Sequence, residues 1–222
     1  MTPVSTTDLK RILVASGNPK KLREFQVLLA PLGIKIIDPV EVGGLNDVDE
    51  DQPTFAGNAL KKARAAAEQS GMVALADDSG LEVDVLDGAP GVKSARYAGE
   101  PCDDERNNDK LLGELSETPE EERGARFVCA LALVTPEGEP IAEVVGTAAG
   151  QILFERRGEN DFGYDPLFQF SEPGSEITGK SFAELTPAEK ASVSHRGRAV
   201  RKLAEHLAEL NTRETTSSPE QQ

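Results

Sequence analysis

The chain has 222 residues, 38% of them hydrophobic, a length that suits one domain or a compact two-lobed unit with a sizeable core. A formal charge of −15, from 24 basic and 39 acidic side chains, repels polyanions and argues against non-specific binding to nucleic acid or an anionic membrane. No signal-peptide core or bilayer-length apolar run is visible, and Cys102 and Cys129 lack metal-ligand spacing, so a cytoplasmic chain with reduced thiols is expected.

Residues 1–10 read as a loose polar leader. Arg11 to Ser16 (RILVAS) predicts a buried strand, followed by the turn residues Gly17, Asn18 and Pro19. Leu22, Phe25, Val27, Leu28 and Leu29 then recur at helical spacing up to Pro31, and Lys35 to Asp38 predicts a second strand. Together they make a βαβ opening. An acidic loop from Val42 to Pro53 leads to Thr54, which caps a helix through NALKKARAAAEQ to Gly71.

Two further strands are expected at Met72 to Ala76 and Leu81 to Val85, with Asp77-Asp78-Ser79-Gly80 at the strand end between them. Asp103 to Leu115 looks helical. Ala125 to Thr135 and Ile141 to Ala149 resemble long paired strands joined at Pro136-Glu137-Gly138, an arm or a second lobe. Thr186-Pro187-Ala188-Glu189 is a capping box that opens a helical stretch to Leu210, with interruptions expected near Ser194 and Gly197. Residues 211–222 form a polar tail for which disorder is expected. Strands alternate with helices early and a hairpin follows, so the class is mixed α/β.

Four groups of residues could carry chemistry. In Ser16-Gly17-Asn18-Pro19-Lys20-Lys21, a turn before a helix aims backbone N–H groups at one spot and suits a phosphate. The Walker A spacing is absent, and an ordinary strand-to-helix turn explains the same hexapeptide. Asp77 and Asp78 with Glu50 suit a hard divalent cation and activation of water. A polar strand terminus and a solvated acidic loop (Asp47, Asp49, Asp51) account for them equally. Asp161-Phe162-Gly163-Tyr164-Asp165-Pro166 suits a slot for an aromatic ring, or a turn whose two aromatics anchor in the core. Lys180, Lys190, His195, Arg196 and Arg198 could line a wall of donors or stud a solvated helix face. With two histidines and no HxxxH, a zinc hydrolase is not expected.

Taken in order, ILVASGNPKKLREF, TFAGNALKKA, ADDSGLEVDVLDGAPGVKSARYAG, FGYDPLF and ELTPAEKASVSHRGRA resemble the family of noncanonical purine nucleoside triphosphate pyrophosphatases, the inosine/xanthosine triphosphatases, over roughly Ile12 to Leu207. The resemblance implies an elongated mixed α/β fold with two lobes around a central cleft, a single catalytic domain over residues 11–210, and a homodimer. It implies Mg²⁺-dependent hydrolysis of ITP, dITP and XTP to the monophosphate and pyrophosphate. Ser16, Gly17, Asn18, Pro19, Lys20 and Lys21 would hold the triphosphate, with Lys21 near the scissile bond. Asp78 would be the general base and, with Glu50, a metal ligand, and Ser79 would contact the substrate while Asp77 supports the turn. Phe162, Gly163, Tyr164 and Asp165 would form the base slot, with Phe162 stacking on the purine, and Lys190, His195 and Arg196 would reach the base edge. Gly57 stands where relatives often carry an acid, which leaves Asp49 and Asp51 open as alternatives to Glu50. Two other readings stand beside this one: a Maf-like pyrophosphatase of modified pyrimidine nucleotides, and a nucleotide-binding regulator without hydrolysis.

Overall fold

The computed structural model describes residues 8–159 and 162–216. Six strands form one mixed sheet in the order β2-β1-β3-β4-β5-β6: β1 (Arg11–Val14), β2 (Lys35–Ile37), β3 (Ala74–Val83), β4 (Gly124–Val134), β5 (Pro140–Ile152) and β6 (Phe168–Phe170). The helices are α1 (Pro19–Leu29), α2 (Phe55–Ser70), α3 (Asp104–Glu114), α4 (Pro187–Val193) and α5 (His195–Thr216). Two compact units divide the chain. Residues up to Asp78, Ala130–Val145 and those from Ala199 onward make the first, and Ser79–Cys129 with Gly146–Arg198 make the second.

In the first unit, β1 runs parallel to both β2 (Leu13 opposite Ile37) and β3 (Leu13 opposite Ala74), the arrangement a βαβ crossover produces. Ile12, Leu13 and Val14 are fully buried, as expected of a parallel strand covered on both faces. The side-chain oxygen of Asn18 accepts the N–H of Lys20 at 2.9 Å and of Lys21 at 3.3 Å, and Pro19 occupies the first turn, which starts α1. Thr54 starts α2 by accepting the Gly57 N–H at 3.1 Å, and Gly71 ends it in the left-handed conformation. The buried stripe of α2 is Phe55, Asn58, Ala59, Ala63, Ala66 and Ala67; its small alanines let the backbone lie close, and Asn58 is a polar residue set among them.

β3 departs from the expected pair of strands. It is one strand, and Asp77-Asp78-Ser79-Gly80 lies within it, so Asp77 supports no turn. The penalty for burying two carboxylates is offset by cations brought from elsewhere in the chain, which a local reading misses.

An aromatic core fills the second unit, where Phe127, Phe168 and Phe182 pack with ring centroids 4.5 to 5.7 Å apart beside Leu81, Leu111, Tyr164 and Leu167. Asp103 caps α3 through the Arg106 N–H at 3.0 Å. Arg123 is buried at its C-terminal end, donating to the carbonyls of Leu115, Thr118 and Leu153. The Thr186/Glu189 capping box opens α4, and Ser194, in an extended conformation, separates α4 from α5. Gly197 is not a second break but lies inside α5. A Cβ there would come within 2.0 Å of the Ala191 carbonyl oxygen, so glycine is required by close approach rather than by a turn. α5 continues past Leu210 to Thr216, where disorder is expected from residue 211, because extending an existing helix carries no nucleation cost. The rest of that tail and leader residues 1–7 lie outside the described residues.

Cys102 is exposed and Cys129 buried, and neither is in a disulfide. Among the described residues, no helix is long and apolar enough to cross a membrane.

Candidate active site

Successive residues of a strand project to opposite faces, so Asp77 and Asp78 meet different nearest partners, although both carboxylates act on Lys62. Asp77, its side chain 1% exposed, pairs with Lys21 of α1 at 2.9 Å. Asp78, 5% exposed, accepts a hydrogen bond from the Asn58 amide of α2 at 2.9 Å. Asn58 also accepts the Gln52 N–H at 2.9 Å through its side-chain oxygen, tying the acidic loop to this helix face. One turn further along α2, the Lys62 ammonium lies 2.6 Å from a Glu50 oxygen and 3.8 Å from an Asp78 oxygen. Glu50 and Asp78 therefore lie within reach of one cation, while the exposed Asp51 is drawn to Lys61 at 2.8 Å.

Charge and burial act against each other here. Burial pushes the Asp78 carboxyl above its ordinary value, only partly opposed by Lys62 and the Asn58 hydrogen bond. Burial also works against the Lys62 ammonium, yet the carboxylates of Asp77, Asp78 and Glu50 outweigh it and raise Lys62 above its ordinary value. Asp78 thus has the character of a proton acceptor stronger than a surface aspartate, and Lys62 stays charged.

The oxygen donors of Glu50 and Asp78 fit a hard divalent cation. Among the described residues, no group of three or more His, Cys, Asp or Glu side chains is placed to hold a metal unaided, so water and substrate oxygens would complete the shell. Ser16 and Asn18 have local duties as well. Ser16 accepts the Asn18 N–H at 3.2 Å, and the Asn18 side-chain oxygen is committed to the α1 cap, which leaves its side-chain nitrogen as the group that could donate to an anion.

The second unit carries the other predicted group. The Lys190 ammonium lies 5.4 Å from the centre of the Phe162 ring and pairs with the buried carboxylate of Asp165. Tyr164 is an anchor rather than a slot wall. It is buried in the aromatic core, and its hydroxyl donates to the Ser94 carbonyl at 2.9 Å. His195 lies flat against Phe127 at 4.7 Å, and Arg196 beside it is almost wholly buried. Lys180 and Arg198 stand apart from this group, since Lys180 meets Glu189 at 3.2 Å and Arg198 grips both oxygens of Glu172 at 2.6 Å. Ser79 is half-buried in β3, and Asp161 lies outside the described residues.

A sequence model of the Ham1 family matches residues 12–206. The chain belongs to the Ham1 family. Among Ham1 relatives, a dITP/XTP pyrophosphatase of Desulforamulus reducens is 49% identical over 200 residues, covering 90% of this chain and 96% of the relative. One from Corynebacterium diphtheriae is 45% identical over 206 residues, covering 91% and 99%. A solved Ham1 protein from Coxiella burnetii superposes with a TM-score of 0.79 at 42% identity, covering 90% of this chain and 98% of that one.

Asn58 and Lys62 join the site residues only through the structure, although they lie in the TFAGNALKKA stretch. Their signal was there in the pattern: four residues apart on one helix face, with Asn58 interrupting an alanine stripe.

Proposed function

We propose that this Ham1-family protein hydrolyses noncanonical purine nucleoside triphosphates, dITP, XTP and ITP, to the monophosphate and pyrophosphate. The observation that carries the reading is the meeting of Glu50 and Asp78 on the Lys62 ammonium, beside Lys21 on β3's other partner helix. Relatives that share nearly half of its residues over almost their whole length bear the name dITP/XTP pyrophosphatase.

Asp78 takes the proton from water attacking the α-phosphorus, and its burial favours that role. Asn58 holds the Asp78 carboxylate in one orientation. Lys21 neutralises charge on the departing pyrophosphate, and the Ser16–Lys21 turn presents backbone N–H groups to the phosphates. Glu50 and Asp78 would hold Mg²⁺, which when bound screens the triphosphate's charge and polarises its phosphoryl oxygens. Phe162 stacks on the purine, and Ser79 contacts the substrate. Lys190, His195 and Arg196 supply donors for the 6-oxo edge, where an adenine amino group would leave a donor unpaired at a cost of about 1–3 kcal/mol, roughly ten- to a hundredfold. Residues 11–210 act as one catalytic domain, in the cytoplasm and as a homodimer, as the family resemblance suggests.

A substrate panel with Mg²⁺ tests the reading: dITP, XTP and ITP against ATP, dGTP and methylated dUTP, scoring pyrophosphate against orthophosphate. Pyrophosphate release favouring the first three is expected. Release of orthophosphate, preference for the pyrimidine, or no hydrolysis would overturn it.

A further inference from the structure

We propose that Asp104 and Asn108, one turn apart on α3, are positioning residues that set the backbone of the purine-reading turn at Phe162–Asp165. The inference rests on reading that turn as the base slot. Gly163 sits at its centre with φ +57°, a conformation glycine adopts freely. That freedom permits the turn without fixing it, so the fixing has to come from outside the segment. It comes from α3. The Gly163 N–H donates to the Asp104 carboxylate at 2.9 Å, and the Gly163 carbonyl accepts from the Asn108 amide at 2.9 Å. Residues four apart on a helix share a face, so one helix face holds both polar groups of a single peptide position.

The burial of Asn108 argues that its amide is there for this contact. The residue is 0% exposed, and its side-chain oxygen has no hydrogen-bond partner. A leucine of similar volume would fill the same space without an unmet acceptor, so packing alone does not call for asparagine. Around Gly163 the turn is closed by the Asp165 N–H donating to the Phe162 carbonyl at 3.1 Å, and Tyr164 is pinned to Ser94. Arg156, earlier in the same connection, reaches the same helix and pairs with Asp109 at 2.7 Å and Glu105 at 3.1 Å. Held in this way, the Phe162 ring and the Asp165 carboxylate keep their spacing to Lys190.

The test compares Asp104→Ala, Asn108→Leu, Asp104→Asn and Phe162→Ala in the full-length enzyme. KM and kcat are measured for dITP and XTP, with the inhibition constant of inorganic tripolyphosphate, which has no base to read. Asp104→Ala, at an exposed position, and the volume-matched Asn108→Leu should each raise KM about tenfold with kcat within about threefold of wild type. Asp104→Asn keeps an acceptor and should recover most of the loss, tripolyphosphate inhibition should stay constant, and Phe162→Ala should raise KM at least as far. If Phe162→Ala raises KM while both helix variants behave as wild type, the positioning role is overturned. If Phe162→Ala leaves KM unchanged, the slot reading itself fails and takes the inference with it. Tripolyphosphate inhibition weakening in step with KM would reduce the effect to general loosening, which also overturns the proposal.

Discussion

Lys21 and Asp77 form an ion pair 2.9 Å long on one face of β3, while the next residue, Asp78, answers to Asn58 and Lys62 from the other helix. Removing the partly exposed Lys21 charge leaves the buried Asp77 carboxylate with Lys62 still acting on it, which costs part of the about 3–5 kcal/mol of stranding a buried charge outright. Lys21→Met should therefore both destabilise the protein and abolish turnover. The double variant Lys21→Met/Asp77→Asn should recover most of the stability and none of the turnover. Denaturant midpoints measured beside activity check this; activity returning with stability would deny Lys21 a chemical role.

Asp78→Asn keeps an oxygen for the Asn58 amide but loses the basic lone pair and the charge. Turnover should fall by about two to four orders of magnitude, the range for loss of a positioned general base. Fold and nucleotide binding should persist. Calorimetric titration with dITP alongside single-turnover kinetics reads both quantities, and near-normal turnover would remove Asp78 from the chemistry.

Glu189 predicts a pH dependence. The Thr186 N–H and hydroxyl both donate to its carboxylate at 2.8 Å, and with Lys180 at 3.2 Å they lower its pKa from 4.5 to about 2. Because the folded value lies below the unfolded one, the stabilisation is full above about pH 4.5 and is lost as pH falls from there toward 2. Thr186→Ala should move the Glu189 midpoint upward and flatten the acid dependence of stability in that window. Carboxyl NMR titration and acid denaturation give the two readouts.

Arg123 spends its guanidinium on three carbonyls, at 2.5 Å (Leu115), 3.0 Å (Thr118) and 3.1 Å (Leu153). Arg123→Met fills similar space but takes this donor from the Thr118 and Leu153 carbonyls, while the Leu115 carbonyl keeps the Thr118 N–H at 3.0 Å, at a cost of about 2 kcal/mol or more. The urea midpoint should drop with little change in slope. A variant as stable as wild type would show that the carbonyls find other donors.

Features of this fold that depend on neighbouring residues are readable from the chain. Asn18-Pro19, Thr54, Asp103 and Thr186-Pro187-Glu189 each start a helix where their chemistry requires one. The Asp77-Asp78-Ser79-Gly80 run misleads because two acids and a glycine read as punctuation, whereas Lys21, Asn58 and Lys62, distant in sequence, help make them tolerable inside a strand. Tyr164 shows the same limit. FGYD presents two aromatics alike, and the Ser94 carbonyl together with the aromatic core separates an anchor from a candidate reader.

At Gly197 the backbones of α4 and α5 meet with no room for a methyl group. Lys190, near the end of one helix, and His195 and Arg196, at the start of the next, are thereby welded into a single corner. On the proposed reading of these three side chains as base readers, a change in the accepted nucleobase should come from exchanging them and leaving the corner's backbone alone. A loop graft there would have to rebuild the joint before it could alter the specificity.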